Sequence, residues 1–511
     1  MGFGMKLVMM QRCINPLPYF DQWEAEAAAI YVPYYEHALG IADLFHAQNE
    51  HRIFITHVYD LALLLLNGQW DSQLQMVCNA VIHCATIAGF GWLIAGWLGR
   101  RYYLAIWIPL AVALVSPFGW ENTLWSFQSQ FYFLLLFSLL AIWLLGAEPL
   151  GPRWRLGVIA AALTLLTIAS GLLAAVTVAG LAVLEILKNR EDWRRQLPTL
   201  GACAGLVIAG VLLKGKAIGE ETWHAHSLHM FMLSLGNNLA WPGRLLPWMA
   251  LLNLLPVTLL AWVYLRSTEK DLPAERMILG VALFAILQTV ATAYARGYGG
   301  NPPKWRYMDT LVLLLTANFL SIALLVFKYR KNLRFAPAWY ALFAVWLFLC
   351  STNLWTLNKA AWNIVIPTWA HDQQVRVELT RAFMATDDEK VFAGHKKLEL
   401  PWFYTPELVF LLRSKDIRSI LPACVRDPLK VVSKDNAPSA FVPNGSRLDE
   451  ADPPTEHCLG SYSATGASAR GTFESSPMHS SLPYLEIPVA GDLGNSGLAL
   501  EIDGIEIGQK F

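Results

Sequence analysis

The chain has 511 residues, of which 55% are hydrophobic and only 15% charged, and its 39 basic and 39 acidic side chains cancel. Soluble domains carry about 25% charged residues, so this balance excludes an ordinary soluble globule and implies a multi-spanning membrane protein. The zero net charge provides no basic stripe for nucleic acid, and the 7 Cys show no C-x-x-C spacing for zinc or redox chemistry.

Residues 1–18 are too short, and too broken by Lys6, Arg12, Pro16 and Pro18, to cross a bilayer, which takes about 20 mainly apolar residues. They read as the remnant of a first span. Residues 19–74 follow as a polar segment containing Asp21, Glu24 and Glu26, then Asn49-Glu50-His51-Arg52, then an apolar run at 54–67. That run suits an interfacial or re-entrant helix better than a span.

Ten apolar segments occupy 75–358, at 75–98, 102–117, 127–146, 156–170, 172–187, 197–213, 245–265, 276–294, 309–328 and 336–357. If the first runs from outside to inside, the basic turns at 99–101, 152–155, 188–195, 266–276 and 328–334 all fall inside, as topogenic bias requires. Counting 54–67 as a full span would put them all outside. Residues 359–511 are polar and rich in Ser, Pro, Gly and Asp. They read as an outer soluble domain, helical at its start and β-rich at its end. Cys424 and Cys458 are its cysteines, and an oxidising compartment permits them to pair. The fold class is therefore an all-α polytopic domain of about 10–11 transmembrane helices with juxtamembrane helices, followed by an extracytoplasmic β-rich domain.

This topology gathers unusual polar groups on the outer face. On an α-helix Asp21 and Glu24 would share a face at i, i+3, and a carboxylate beside an acceptor hydroxyl can serve as general base. The plain alternative is a solvated acidic first turn. Glu50 can take a hydroxyl proton or orient His51, and Arg52 can clamp a phosphate, with Asn49 beside them; the alternative is a polar helix cap. Arg296, Lys304 and Arg306, interleaved with Tyr298, Trp305 and Tyr307, suit a lipid-linked phosphate and sugar rings, against the alternative of snorkelling cations. Glu121, Asn122, Gln128 and Gln130 lead into a span and either line a pocket or bond between helices. His224, His226 and His229 have no carboxylate or Cys at zinc spacing. Phosphate-loop, nucleophile-elbow and His-Glu-x-x-His motifs do not occur.

With Asp21-Gln22-Trp23-Glu24, Asn49-Glu50-His51-Arg52-Ile53, Trp120-Glu121-Asn122, Phe127-Gln128-Ser129-Gln130-Phe131 and Arg306-Tyr307, residues 19–330 resemble the GT-C superfamily of integral-membrane glycosyltransferases. The resemblance implies a multi-pass protein of the bacterial cytoplasmic (inner) membrane, with its active site and C-terminal domain on the extracytoplasmic side. It implies transfer of a sugar from a polyprenyl-phosphate donor to a glycan, lipid or protein acceptor. By position the general base falls on Asp21, with Glu24 next, and the lipid-phosphate grip on Arg296 or Arg306. A divalent cation, Mg²⁺ or Mn²⁺, is optional, since fixed cations can replace it. A flippase for lipid-linked sugars and a non-catalytic glycan-assembly subunit are the rival readings.

Overall fold

A computed structural model of the protein describes residues 1–426 apart from 14, 216–219, 244–247, 268–272, 301–303 and 330–335. Beyond 426 it describes only 430–432, 442–443, 459–460, 472–474, 501–502 and 505–506. The chain divides into two compact units, Met1–Arg426 and Asp427–Phe511.

The first unit is helical. Among the described residues nine helices are long and apolar enough to cross a membrane: Ser72–Leu98, Arg100–Leu124, Ser126–Leu144, Ala169–Lys188, Arg190–Leu213, Trp248–Arg266, Pro273–Ala295, Trp305–Phe327 and Pro337–Met384. Each matches one of the apolar runs in the sequence. Small residues let their backbones approach closely, as helix packing in lipid demands. Ala174, Ala175, Ala182 and Ala285 are fully buried, and a Cβ on Gly280 would sit 2.6 Å from Ile142 and 2.8 Å from Leu181. Large apolar side chains such as Trp92, Leu104, Val211 and Leu212 point outward instead.

The remaining expected span, 156–170, is shorter in the structure. Pro152–Thr164 has 13 residues. The Thr164 hydroxyl bonds the carbonyl oxygens of Ala161 and Gly171 at 2.7 and 2.8 Å, so the chain folds back at once. Gly171 makes that reversal possible, because a Cβ there would lie 1.9 Å from the Thr164 carbonyl oxygen. The last span also differs from expectation. Its helix does not stop near 358 but continues as Ile366–Thr386 through a wider turn at Ala361–Val365.

Contacts define two ends of this bundle. At one, Gln22 meets Gln75 and Ser126, and Ala169 meets His51. At the other, Glu185 meets Arg276, and Glu275 meets Lys328. The first is the loop end and the second the turn end. Over the loop end a separate apolar cluster joins Trp23, Ile30, Tyr31 and Trp70 to Val377, Phe383, Leu408, Leu412 and Ile417. Helices Phe54–Asn67, Thr405–Arg413 and Lys415–Ile420 belong to this cap.

In the second unit the described residues form three short antiparallel ladders. Lys430–Val432 pairs with Thr472–Glu474, Val442–Pro443 with Leu459–Gly460, and Glu501–Ile502 with Ile505–Glu506. The expectation of a β-rich domain otherwise lies outside the described residues, as do Cys458, the side chain of Cys424 and the disulfide expected between them.

Candidate functional site

The acidic stretch is helical, and from Trp23 to Tyr31 it winds as a π-helix. Its i→i+5 spacing brings Tyr31 onto the face of Glu26, whose Oε2 accepts from the Tyr31 hydroxyl at 2.8 Å. Glu26 is 1% exposed. Its carboxylate also accepts from Trp70 Nε1 at 2.8 Å and from Gln22 and Gln75 Nε2, both at 2.9 Å. Gln22 is the second knot. Its Nε2 donates to Glu26 and Gln75, while its Oε1 accepts from Ser126 Oγ and the Tyr19 backbone N–H. These bonds tie the acidic stretch to the starts of two spans, so Asp21 and Glu24 sit on a fixed backbone.

Asp60, on Phe54–Asn67, faces the same buried region, and neither of its oxygens makes a well-formed hydrogen bond. Burial pushes its carboxyl well above the usual range, and the neighbouring Glu26 charge adds to this while Gln75 opposes it. Burial also raises Glu26, but its four donors offset part of that cost. Asp60 is therefore the partner that keeps the proton.

Asp21 and Glu24 look in different directions. The Asp21 charge acts on Tyr19 and on Arg306, whereas Glu24 is exposed and accepts from Gln48 Nε2 at 3.0 Å. The wider π-helical turn explains the divergence, because i, i+3 positions align on an α-helix and not on a π-helix.

Arg306 is held at the loop end by Glu121, which accepts from its backbone N–H at 2.8 Å and from its Nε at 3.3 Å. The guanidinium lies 4.9 Å above the Trp125 ring. Below it, Asn122 Nδ2 donates to the Arg306 carbonyl at 2.7 Å and to Asp309 Oδ2 at 2.8 Å. Asp309 in turn interacts with the buried Lys6, whose Nζ donates to Thr123 Oγ1 at 2.7 Å. Tyr307 packs against Phe131, and Gln128 accepts from Gln130 at 3.3 Å.

The Asn49-Glu50-His51-Arg52 segment forms a tight reversal. Gln48 and His51 exchange backbone bonds of 2.9 Å, and Asn49 sits at φ 53°, a left-handed conformation that Asn tolerates. Glu50 pairs with Arg296 at 3.8 Å. His51 Nδ1 accepts from the Ala169 N–H at 3.1 Å, which puts the ring proton of the neutral form on Nε2. Arg52 is engaged by backbone, donating to the carbonyls of Leu213 and Phe45 at 3.1 and 2.7 Å. Lys304 stands 4.8 Å from the Trp223 ring.

Two guanidinium–carboxylate groups therefore share one end of the bundle, Asp21/Arg306/Glu121 and Glu50/Arg296, with Glu24 and Gln48 between the acidic stretch and the second group. Comparison with family models, curated proteins and solved structures finds no match. The site is therefore read from its own chemistry. Among the described residues no three His, Cys, Asp or Glu converge as metal ligands, and His224 and His226 pack on the rings of Tyr294 and Tyr298.

Arg376 was invisible to sequence reasoning. It is fully buried, stacked 3.8 Å from the Tyr19 ring and 4.6 Å from Trp369, with Nε on the Leu398 carbonyl at 2.7 Å. Burial pushes the Tyr19 phenol up to about 12, so the ring stays neutral beneath the cation. Only the unbroken helix that carries Arg376 back over the loop end makes this contact, and composition gave no sign of it.

Proposed function

We propose that the protein is a membrane glycosyltransferase that moves a sugar from a polyprenyl-phosphate donor to a cell-envelope glycan, lipid or protein acceptor at the loop end, facing the outside of the bacterial cytoplasmic membrane. The observation that carries this reading is the Asp21/Arg306/Glu121 group. It places a carboxylate that can accept a proton beside a guanidinium that can hold a phosphate, on backbone tied to two spans. In the transfer, the acceptor oxygen attacks the anomeric carbon and its proton passes to Asp21. The bond from that carbon to the phosphate oxygen breaks, and Arg306 and Arg296 stabilise the departing charge. Glu121 positions Arg306 through two hydrogen bonds, and Trp125 offers a ring face beside it.

A flippase would need polar groups along a path between the two ends. The bundle interior between them is filled instead by Ile94, Leu139, Ile142, Leu181, Leu260 and Phe284. This favours chemistry at one face over passage through the membrane.

The test is mass profiling of surface glycans and lipid-linked sugars in cells lacking the gene, complemented by wild type or Asp21→Asn at matched expression. Loss of one sugar decoration that wild type restores and Asp21→Asn does not, with a rate loss of about 100-fold or more, is the expected result. Full restoration by Asp21→Asn would remove Asp21 as the base.

A further inference from the structure

The turn end holds a cavity of about 700 Å³, bounded by the ends of Ser72–Leu98, Ser126–Leu144, Ala169–Lys188, Arg190–Leu213 and Pro273–Ala295. Its described charged lining is Arg153, Lys188, Arg195 and Arg276 against Glu185 and Asp192. The acids are already engaged. Glu185 accepts from Arg276 Nε and from Gln196 Nε2, and Arg276 is pinned further by Nη1 on the Ile142 carbonyl at 2.8 Å. Asp192 accepts from Asn189 Nδ2 at 3.1 Å.

Three cations remain to set the potential of the mouth. Arg153 is exposed and makes no ion pair among the described residues. Lys188 lies 4.0 Å from the Tyr264 ring. Arg195 has Glu148 as its partner, but the two side chains are 55% and 73% exposed, and a pair so wet holds its members weakly. Leu93, Trp97 and Met277 form apolar wall beside these groups. Cations at the mouth and apolar wall between spans are the two halves of a site for an amphiphile carrying a phosphate.

We propose that this cavity binds the phosphate headgroup of an anionic membrane lipid, with the start of its acyl chains against Leu93 and Trp97. Phosphate is the shared chemistry of a lipid headgroup and of the free ion. The apolar wall and the position at the ends of five spans favour the lipid. This inference does not rest on glycosyl transfer, since none of its residues belongs to the loop-end groups.

The experiment uses the full chain in nanodiscs of phosphatidylcholine with and without phosphatidylglycerol, reading by native mass spectrometry how much phosphatidylglycerol the protein retains. Wild type is expected to retain it in preference to phosphatidylcholine. Arg153→Gln with Arg195→Gln, and separately Lys188→Gln, are expected to reduce retention about fivefold for each cation removed. Arg306→Gln, at the opposite end, is expected to leave retention unchanged. Arg153 and Arg195 are exposed, so their variants should elute and melt as wild type, and Lys188→Gln gives an independent reading if they do not. Equal retention by the variants, or no preference between the two lipids, overturns the proposal. Displacement of phosphatidylglycerol by inorganic phosphate at equal concentration would assign the site to a soluble anion and overturn the lipid. Failure here leaves the glycan profile untouched, and loss of transfer in Asp21→Asn leaves retention untouched, so the two readings fail separately.

Discussion

Glu26 is one of three carboxylates within six residues, yet its surroundings make it a structural group and not a solvated one. Four donors converge on it, and two of them, Trp70 and Gln75, lie more than 40 residues away in sequence. No local pattern could announce that cage, whereas the exposure of Glu24 and the proximity of Asp21 to a guanidinium fit the simpler reading of an acidic loop. Glu26→Ala would leave four buried donors without their acceptor and is expected to destabilise the protein by about 3 kcal/mol or more, read as loss of folded material on heating. Asp60 behaves oppositely. Its folded carboxyl is raised, so the folded protein holds a proton that the unfolded chain has released. Stability from this group is therefore present at acid pH and lost as pH rises from about 4, the unfolded value, through the folded one. Asp60→Asn removes that loss. Its melting temperature should equal that of wild type near pH 4 and exceed it by about 2–4 °C near pH 7. A uniform shift at both values would mean that Asp60 is ionised in the folded state.

At the scale of elements, apolar runs and basic turns located the spans, because lipid forces the backbone into helices and the charge bias marks their ends. Three features escaped that logic. The π-helix at Trp23–Tyr31 differs from an α-helix only in hydrogen-bond register, which side-chain type does not encode. The continuation of the last span into Ile366–Thr386 is polar enough to read as a separate domain, although nothing in 358–366 forbids helix apart from Pro367 just after it, which a first turn accepts. The early end of Pro152–Thr164 depends on Thr164 and Gly171 meeting across a turn. That turn is the sharpest steric constraint among the described glycines: a Cβ on Gly171 would approach the Thr164 carbonyl oxygen to 1.9 Å and its carbon to 2.5 Å. Backbone cannot yield as a side chain can, so Gly171→Ala should cost about 1–3 kcal/mol. Gly89→Ala, with nothing within 4 Å of its Cβ, should be neutral or slightly stabilising. Thermal denaturation of the two variants side by side checks this, and equal behaviour would show that the 165–171 turn can open.

For the whole molecule, an apolar interior separates a loop end rich in paired carboxylates and guanidinium groups from a turn end rich in cations. Arg100, Arg101, Arg153, Arg155, Lys188, Arg190, Arg194, Arg195, Arg266, Arg276 and Lys328 lie near the turn end, in or beside short turns where positive charge determines orientation. The same bias predicts from sequence that this end is cytoplasmic, and the proposed transfer requires that the loop end face outward. Asn49 and Arg190 are both exposed, one at each end. Asn49 occupies a left-handed position in a reversal, where Cys is tolerated at a cost of about 1–2 kcal/mol. Arg190 begins a short turn before Trp193–Leu213. With the native cysteines replaced, Asn49→Cys is expected to react with a membrane-impermeant maleimide in intact cells stripped of their outer barrier, and Arg190→Cys only after the membrane is opened. The reverse pattern would place Asp21 and Arg306 in the cytoplasm, where an acceptor on the outer surface cannot reach them, and the transferase reading would fall with it. Labelling of both sites in intact cells would mean mixed insertion, and the basic turns would then not be what orients the chain.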